Sequence, residues 1–446
     1  MSSIPSSILI VGSGVFGLGT AYALTQRPEF KDTKITLLER LQFPAHDASS
    51  VDSSRIIRAD YPDAAYSRLA AEALQIWRGD FGADGRYNES GLCIVLGKSD
   101  SELGKAYMEG SLKNVQEKLG LKVGRREEGG QLTVLENEAA VKEILGSMGG
   151  EVGQSGYVNW TSGWANAEAG LTHMRKLAEA TGRIEFRTAE IKRLLFEDGS
   201  AVEGAELVDG QTVKADLTIL ATGAWSPKFI DLRGIASASG QVLSYFKVSK
   251  EEQARLGGNP ALLDESYGFY IIPPLEGELK IARHGYGYAN LQTIPHPERP
   301  DSGETIIVSL PRTKEDVHGL GVPPEAEQGC REFVASRIPD LADRPFSKTR
   351  ICWYTDTPNS DWLIDHHPKY NGLFVATGGS GHGYKFLPVI GERVVDVLLR
   401  QDRDELGAEL RKKWKWPEKR HASDHIWTDD WRGGRKGMIL DEEFAK

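Results

Sequence analysis

Ile8-Leu9-Ile10-Val11-Gly12-Ser13-Gly14-Val15-Phe16-Gly17 decides the fold of this chain. Four apolar residues in a row read as a parallel strand covered on both faces. A glycine turn follows, and then a helical stretch to about Gln26. Gly12 permits the tight turn, Gly14 lets the backbone approach a pyrophosphate, and Gly17 lets helix and strand pack closely; Val15 and Phe16 complete the turn. The helix N-terminus adds amide donors and a partial positive charge. Ile35-Thr36-Leu37-Leu38-Glu39 reads as the second strand, with Glu39 placed 22 positions after Gly17. An acid there accepts from ribose hydroxyls and disfavours a 2′-phosphate. Arg40, beside it, joins the expected cofactor contacts. This strand–turn–helix–strand unit fits NAD or FAD.

Two later stretches favour FAD. Leu217-Thr218-Ile219-Leu220-Ala221-Thr222-Gly223 is a second buried strand ending in glycine. Ala221, Thr222 and Gly223 are of the kind found beside the ADP half of FAD. Leu373-Phe374-Val375-Ala376-Thr377-Gly378 is a third, and it opens into Gly379-Ser380-Gly381-His382-Gly383-Tyr384-Lys385. Backbone donors in that turn would lie near a flavin ring.

Working outward, residues 66–78 and 171–180 read as helices, and 184–213 as strands with turns at Asp198-Gly199 and Asp209-Gly210. Residues 91–150 alternate strand and helical signals. The stretch 236–350 is mixed, with a Pro-rich loop from Pro295 to Pro311, and a helix spans about 391–400. The charged tail carries Trp414, Trp416, Trp427 and Trp431 and is expected to wrap over the body. The predicted class is α/β. Residues 1–90, 151–235 and 351–400 form a discontinuous Rossmann-like FAD-binding domain. Residues 91–150 and 236–350 form an inserted α+β substrate domain on a mixed sheet, and 401–446 form the tail.

The chain has 446 residues, enough for two domains. A net charge of −10 argues against nucleic acid. Cys93, Cys330 and Cys352 are too few and too scattered for a disulfide framework or a zinc site, so a reducing compartment and no metal are expected. No apolar run approaches the ~18 residues needed to cross a bilayer. The start lacks the basic region of a secretory signal. The end, Phe444-Ala445-Lys446, stops one residue short of a pattern like Ser-Lys-Leu, so a peroxisomal or cytoplasmic location is expected.

Over nearly its whole length the chain resembles the monomeric sarcosine oxidase family of covalent flavoproteins. That family includes the fungal fructosyl amino acid (Amadori), pipecolate and saccharopine oxidases. Cys352-Trp353-Tyr354-Thr355-Asp356-Thr357, followed by Asp365-His366-His367-Pro368, is similar to the segment in which a cysteine forms a thioether to the flavin ring methyl. The resemblance therefore implies FAD bound covalently through Cys352 (8α-S-cysteinyl), in a glutathione-reductase-like cofactor domain. Ser380-Gly381-His382-Gly383-Tyr384-Lys385-Phe386 resembles the family turn that lies along the flavin, with Gly379, Gly381, Gly383 and Tyr384 near the ring. Its lysine, here Lys385, also binds substrate carboxylate. Arg55-Ile56-Ile57-Arg58 resembles a family signature. It implies Ser54 and Arg55 beside the flavin, and Arg58 on the substrate carboxylate, where a guanidinium fork fits. Lys280-Ile281-Ala282-Arg283-His284 resembles Lys-x-x-x-His. Residues four apart on a strand share a face, so Lys280 would activate oxygen through fixed charge while His284 borders the substrate. Tyr267 and Tyr354 are candidate aromatic walls.

The implied activity is oxidation of a secondary amine on an amino acid. Hydride passes to the flavin, the imine hydrolyses, and oxygen becomes hydrogen peroxide. The implied partners are a small amino acid and O2, and the implied state is a monomer. His284 and Arg-Ile-Ile-Arg match the sarcosine branch, whereas Trp353 and Asn359-Ser360-Asp361-Trp362 match the Amadori branch. Sarcosine, pipecolate, saccharopine, N-alkyl and fructosyl amino acids all stay open as substrates. So do a flavin dehydrogenase, an NAD-dependent dehydrogenase, and a flavin- or NAD-binding protein without oxidase activity.

Overall fold

The computed structural model describes residues 4–97 and 101–446. Its first sheet has six strands in the order Leu363–His366, Leu373–Thr377, Leu217–Leu220, Ser7–Val11, Lys34–Glu39, Ile184–Thr188. All neighbours are parallel except the first pair. The central strand pairs Ile8 with Leu217 and with Ile35, and Val11 with Leu220 and with Leu38. Those residues are buried on both sides, which is why the run is apolar without alternation.

Helices cover this sheet. Val15–Gln26 follows the glycine turn and packs on Leu387–Leu399. The approach is very close at Gly19 and Gly391, where a Cβ on Gly391 would stand 1.9 Å from the Gly19 carbonyl oxygen. Ala64–Arg78 starts where Asp63 accepts from the Ala65 and Tyr66 amides, and Ala167–Ala180 where Asn166 accepts from Ala169. Such caps satisfy amides that have no partner inside the helix. A meander of Ile191–Glu197, Ala201–Leu207 and Thr212–Lys214 lies beside the sheet. Its tight turns fall at Asp198-Gly199 and Asp209-Gly210, as the sequence predicts.

The second large sheet has ten strands and is mixed. Its centre is Ser237–Lys247, flanked by Glu278–Arg283 and by Lys348–Asp356, both antiparallel. Three features differ from the sequence reading. Ser155–Asn159, expected in the cofactor unit, joins the ten-stranded sheet by pairing with Leu92–Leu96. Cys352, expected at the start of the 351–400 piece, lies inside Lys348–Asp356 of that same sheet. In both cases, pairing across the chain overrides a boundary drawn from local composition. The Pro-rich stretch is also more regular than a loop: Leu291–Pro295 and Thr305–Ser309 form a hairpin, with its prolines at the ends. The tail does cover the body, through helix Glu405–Trp414 and through Met438–Ile439, which pairs with Tyr288–Ala289.

Candidate active site

A cavity of about 500 Å³ runs between the two large sheets. Gly12, Gly14, Val15, Phe16, Glu39 and Arg40 line it, as do Ala221, Thr222 and Gly223. Gly12 has φ +100°, and a Cβ there would come within 2.5 Å of the Ala221 carbonyl oxygen. Gly17 does not reach the cavity. It packs beneath the turn, where a side chain would strike the Gly12 carbonyl. Glu39 accepts from the Ser13 amide and hydroxyl at 2.9 and 2.7 Å, so its carboxylate faces the glycine turn. Ser50, which the motif reading missed, accepts from the first helical amide, Val15, at 3.1 Å. Nothing in its local sequence marks it; only the loop after the second strand brings it there.

Farther along, the lining includes Arg55, Arg58, Lys280, His284, Cys352 and Tyr354. The turn of Gly379, Gly381, Gly383, Tyr384 and Lys385 closes this part. Ser54 lies outside the lining, and its carbonyl accepts from the Lys280 amine at 2.7 Å. Tyr267 is a correction. It sits in a turn, 44% exposed and away from the cavity. Tyr270, three residues on and inside strand Phe269–Leu275, lines the cavity instead. Strand alternation would have separated the two had the strand's start been legible.

Asp52 is the hub beneath this region. Its carboxylate takes Lys280 Nζ at 2.6 Å, Tyr245 OH at 2.6 Å and an Arg55 Nη. Burial pushes the Asp52 carboxyl up, but the charges of Arg55, Lys280 and Arg350 outweigh it and hold it well below the usual range. Lys280 is 2% exposed. Burial and the neighbouring Arg55 charge bring its pKa down to about 7, against the pull of Asp52. Arg55 also directs Nη2 at the Cys352 sulfur, 3.6 Å away.

The other end holds a hydrogen-bonded chain. Lys385 Nζ donates to Tyr61 OH at 2.7 Å and to the His382 carbonyl at 2.9 Å. His382 Nε2 lies 2.9 Å from the Ser360 carbonyl and so carries the hydrogen; Nδ1 then accepts from Tyr61 OH at 3.2 Å. Burial, and after it the Lys385 charge, keeps His382 neutral. Burial and the Arg58 charge press Lys385 well below its ordinary value. Arg58 Nη2 donates to Tyr107 OH at 2.8 Å, while Nη1 is buried with no partner among the described residues. Among those residues, neither Arg58 nor Lys385 has a carboxylate within 4 Å. His284 Nδ1 lies 3.3 Å from Tyr354 OH, and burial with the charges of Arg432 and Arg58 keeps the ring neutral. Tyr61, Tyr107 and Arg432 were missed because each comes from a segment with no motif.

The family model for FAD dependent oxidoreductases (DAO) matches residues 7–397. The chain belongs to this DAO family. It is an oxidoreductase, and its cofactor is FAD. The residues present fit that group: the turn has no room for a Cβ at Gly12, which would meet the Ala221 carbonyl, or at Gly14, which would meet Ser50, and Glu39 stands at the end of the second strand. Within the family the chain is similar to the amino acid oxidase imqH of Aspergillus flavus, 33% identical over 93% of this chain and 98% of that one. It is also similar to the L-saccharopine oxidase of Schizosaccharomyces pombe, 27% identical over 94% and 95%. Among solved structures, fructosamine oxidase (Amadoriase II) of Aspergillus fumigatus superposes with a TM-score of 0.80 and 27% identity, covering 98% of this chain and 95% of that one. No described helix is long and apolar enough to cross a membrane.

Proposed function

We propose that this protein is an FAD-dependent oxidase of secondary amines on amino acids, with oxygen as acceptor and hydrogen peroxide as product. One observation carries the reading. Arg58 and Lys385 converge on a cavity shared with the nucleotide cradle, and neither has an anionic partner among the described residues. An amino acid carboxylate supplies the missing charge. Relatives named amino acid oxidase, saccharopine oxidase and sarcosine oxidase support the same class.

Gly12, Gly14, Glu39 and the Ala221–Gly223 turn would hold the nucleotide half of FAD. Arg55 and the turn from Gly379 to Tyr384 would hold the ring half. FAD supplies the two-electron chemistry, accepting hydride from the carbon beside nitrogen and passing the electrons to oxygen. The chain does the rest. Arg58 and Lys385 fix the carboxylate, which places the amine beside neutral His284 and Tyr354. Positioning of this kind supplies much of an enzyme's rate. Lys280 contributes a fixed positive charge toward which oxygen is reduced. Overall, amine, oxygen and water give a shorter amine, a carbonyl compound and hydrogen peroxide. Cys352, with Arg55 at its sulfur, is the attachment point for an 8α-S-cysteinyl bond to the flavin. We further infer two working units, a cofactor domain on the six-stranded sheet and a substrate domain on the ten-stranded one, in a monomeric chain. Of the two expected locations, peroxisomal and cytoplasmic, the peroxisomal one is supported by a human relative named peroxisomal sarcosine oxidase, 24% identical.

A peroxide assay against sarcosine, pipecolate, saccharopine, N-alkyl and fructosyl amino acids tests the activity. Turnover of at least one N-substituted amino acid is expected, and silence across the panel would overturn it. Mass measurement of the denatured chain tests the tether. Wild type should carry flavin mass and Cys352→Ser should not; a wild-type chain of bare mass refutes the bond.

A further inference from the structure

Two turns at the cavity hold serine in the left-handed region, Ser360 at φ +61° and Ser380 at φ +44°. Residues with a Cβ rarely take this conformation, and it persists only where the surroundings impose it. One guanidinium bonds to both. Arg432 Nη2 donates to Ser360 Oγ at 3.1 Å and to the Ser380 carbonyl at 3.0 Å. Its Nη1 is held by Asp430 at 3.1 Å and by the Trp431 carbonyl at 3.1 Å. The Asp356 carboxylate stands 3.6 Å from Nη2 as its buried counter-charge.

Arg432 arrives from the C-terminal tail, 47 residues beyond Lys385. Backbone bonds seat the tail on either side of it, from Asp429 N to the Pro358 carbonyl at 2.7 Å and from Gly433 N to the His284 carbonyl at 2.8 Å. The clamped turns carry the substrate machinery. The Ser360 carbonyl fixes the His382 tautomer, His382 orients Tyr61 OH, and Tyr61 receives Lys385. A planar fork can bridge two acceptors on separate turns while a third group holds its other end; an ammonium cannot reproduce that geometry.

We propose that Arg432 is a positioning residue for the substrate site. It locks the turns at Ser360 and Ser380 and so sets the Lys385–Tyr61–His382 chain. This inference rests on Lys385 as carboxylate ligand. The test uses the flavin-loaded protein, with backbone hydrogen exchange over 357–361 and 378–386 and binding of acetate by calorimetry. Arg432→Met should speed exchange in both turns tenfold or more and weaken acetate at least tenfold, with Arg432→Lys in between. Arg435→Ala, which removes the exposed arginine of the Arg435–Glu443 pair in the same tail, should leave both readouts as in wild type. Adding both Ser360→Gly and Ser380→Gly to Arg432→Met should recover acetate binding, because glycine takes this backbone without a clamp. Unchanged exchange in Arg432→Met, equal loosening in Arg435→Ala, or no recovery with the two glycines would overturn the clamp. If Arg432→Met does not fold, Arg432→Lys decides, and exchange equal to wild type overturns it. Wild type that binds no acetate would instead sink the carboxylate role of Lys385, leaving the exchange data to judge the clamp.

Discussion

Lys280 combines a buried amine with a pKa near neutrality, and that fixes how the protein answers to pH. Below about 7 the amine is charged and stabilises the negative charge that forms on oxygen; above it the charge fades. Reoxidation of the reduced enzyme by oxygen should therefore slow as pH rises through 7. Lys280→Met should lower that rate by roughly 10²–10³-fold, the usual cost of losing one preorganised electrostatic group, and flatten its pH profile. Stopped-flow mixing with oxygen checks both, and an equal fall in the anaerobic reduction step would contradict the assignment. Lys385 makes a different forecast. Burial and Arg58 favour its neutral form, and an arriving carboxylate favours the charged one. Acetate binding at pH 8 should take up a proton, read by calorimetry in buffers of different ionisation heat, and should weaken as pH rises. Glu265 is buried with both carboxyl oxygens unpartnered among the described residues, and burial pushes its pKa up to about 8, with Asp264 adding to the rise. Unfolded, it ionises near its ordinary value of 4.5. The folded chain thus holds an extra proton between 4.5 and 8, and stability is lost as pH rises through that window. Glu265→Gln should remove a loss of about 5 kcal/mol at most, since each tenfold change in proton affinity is worth about 1.4 kcal/mol. Melting at pH 6 and pH 9 would reveal it as a gain that is clearly larger at pH 9.

At the scale of elements, the glycine turn carries the strictest demand. Gly12→Ala would force a Cβ into the Ala221 carbonyl at a φ that alanine avoids. The expected result is a folded but colourless preparation, checked by absorbance in the flavin bands; retention of full flavin would contradict the cradle. This turn was legible because its residues are consecutive and each glycine has a steric reason. The same holds for Cys352, Lys385 and the run from Arg55 to Arg58, whose neighbours form recognisable patterns. Tyr270 was displaced to Tyr267 because a short strand start leaves no periodicity to read. Asp52, Ser50, Tyr61 and Arg432 were invisible for another reason. Each depends on a partner distant in the chain, as Asp52 does on Lys280, 228 positions away. The pairing of Ser155–Asn159 with Leu92–Leu96 was illegible on the same account, since it is not written in either segment alone.

Across the whole molecule, the cavity lies where two sheets face each other, and each contributes what the other lacks. The six-stranded sheet supplies the nucleotide cradle at Gly12, Glu39 and Ala221; the ten-stranded one supplies Lys280, His284 and Cys352. Cys352 sits in the middle of Lys348–Asp356, paired with Gln241 of the long central strand, rather than on a free loop. The proposed sulfur bond would therefore rivet a prosthetic group into one slab of the molecule while its adenine end is gripped by the other. Cleavage of the backbone between the slabs would then leave two peptides that share a single dye, with the colour travelling through a denaturing gel on the fragment that bears the cysteine and never on the one that bears the N-terminus.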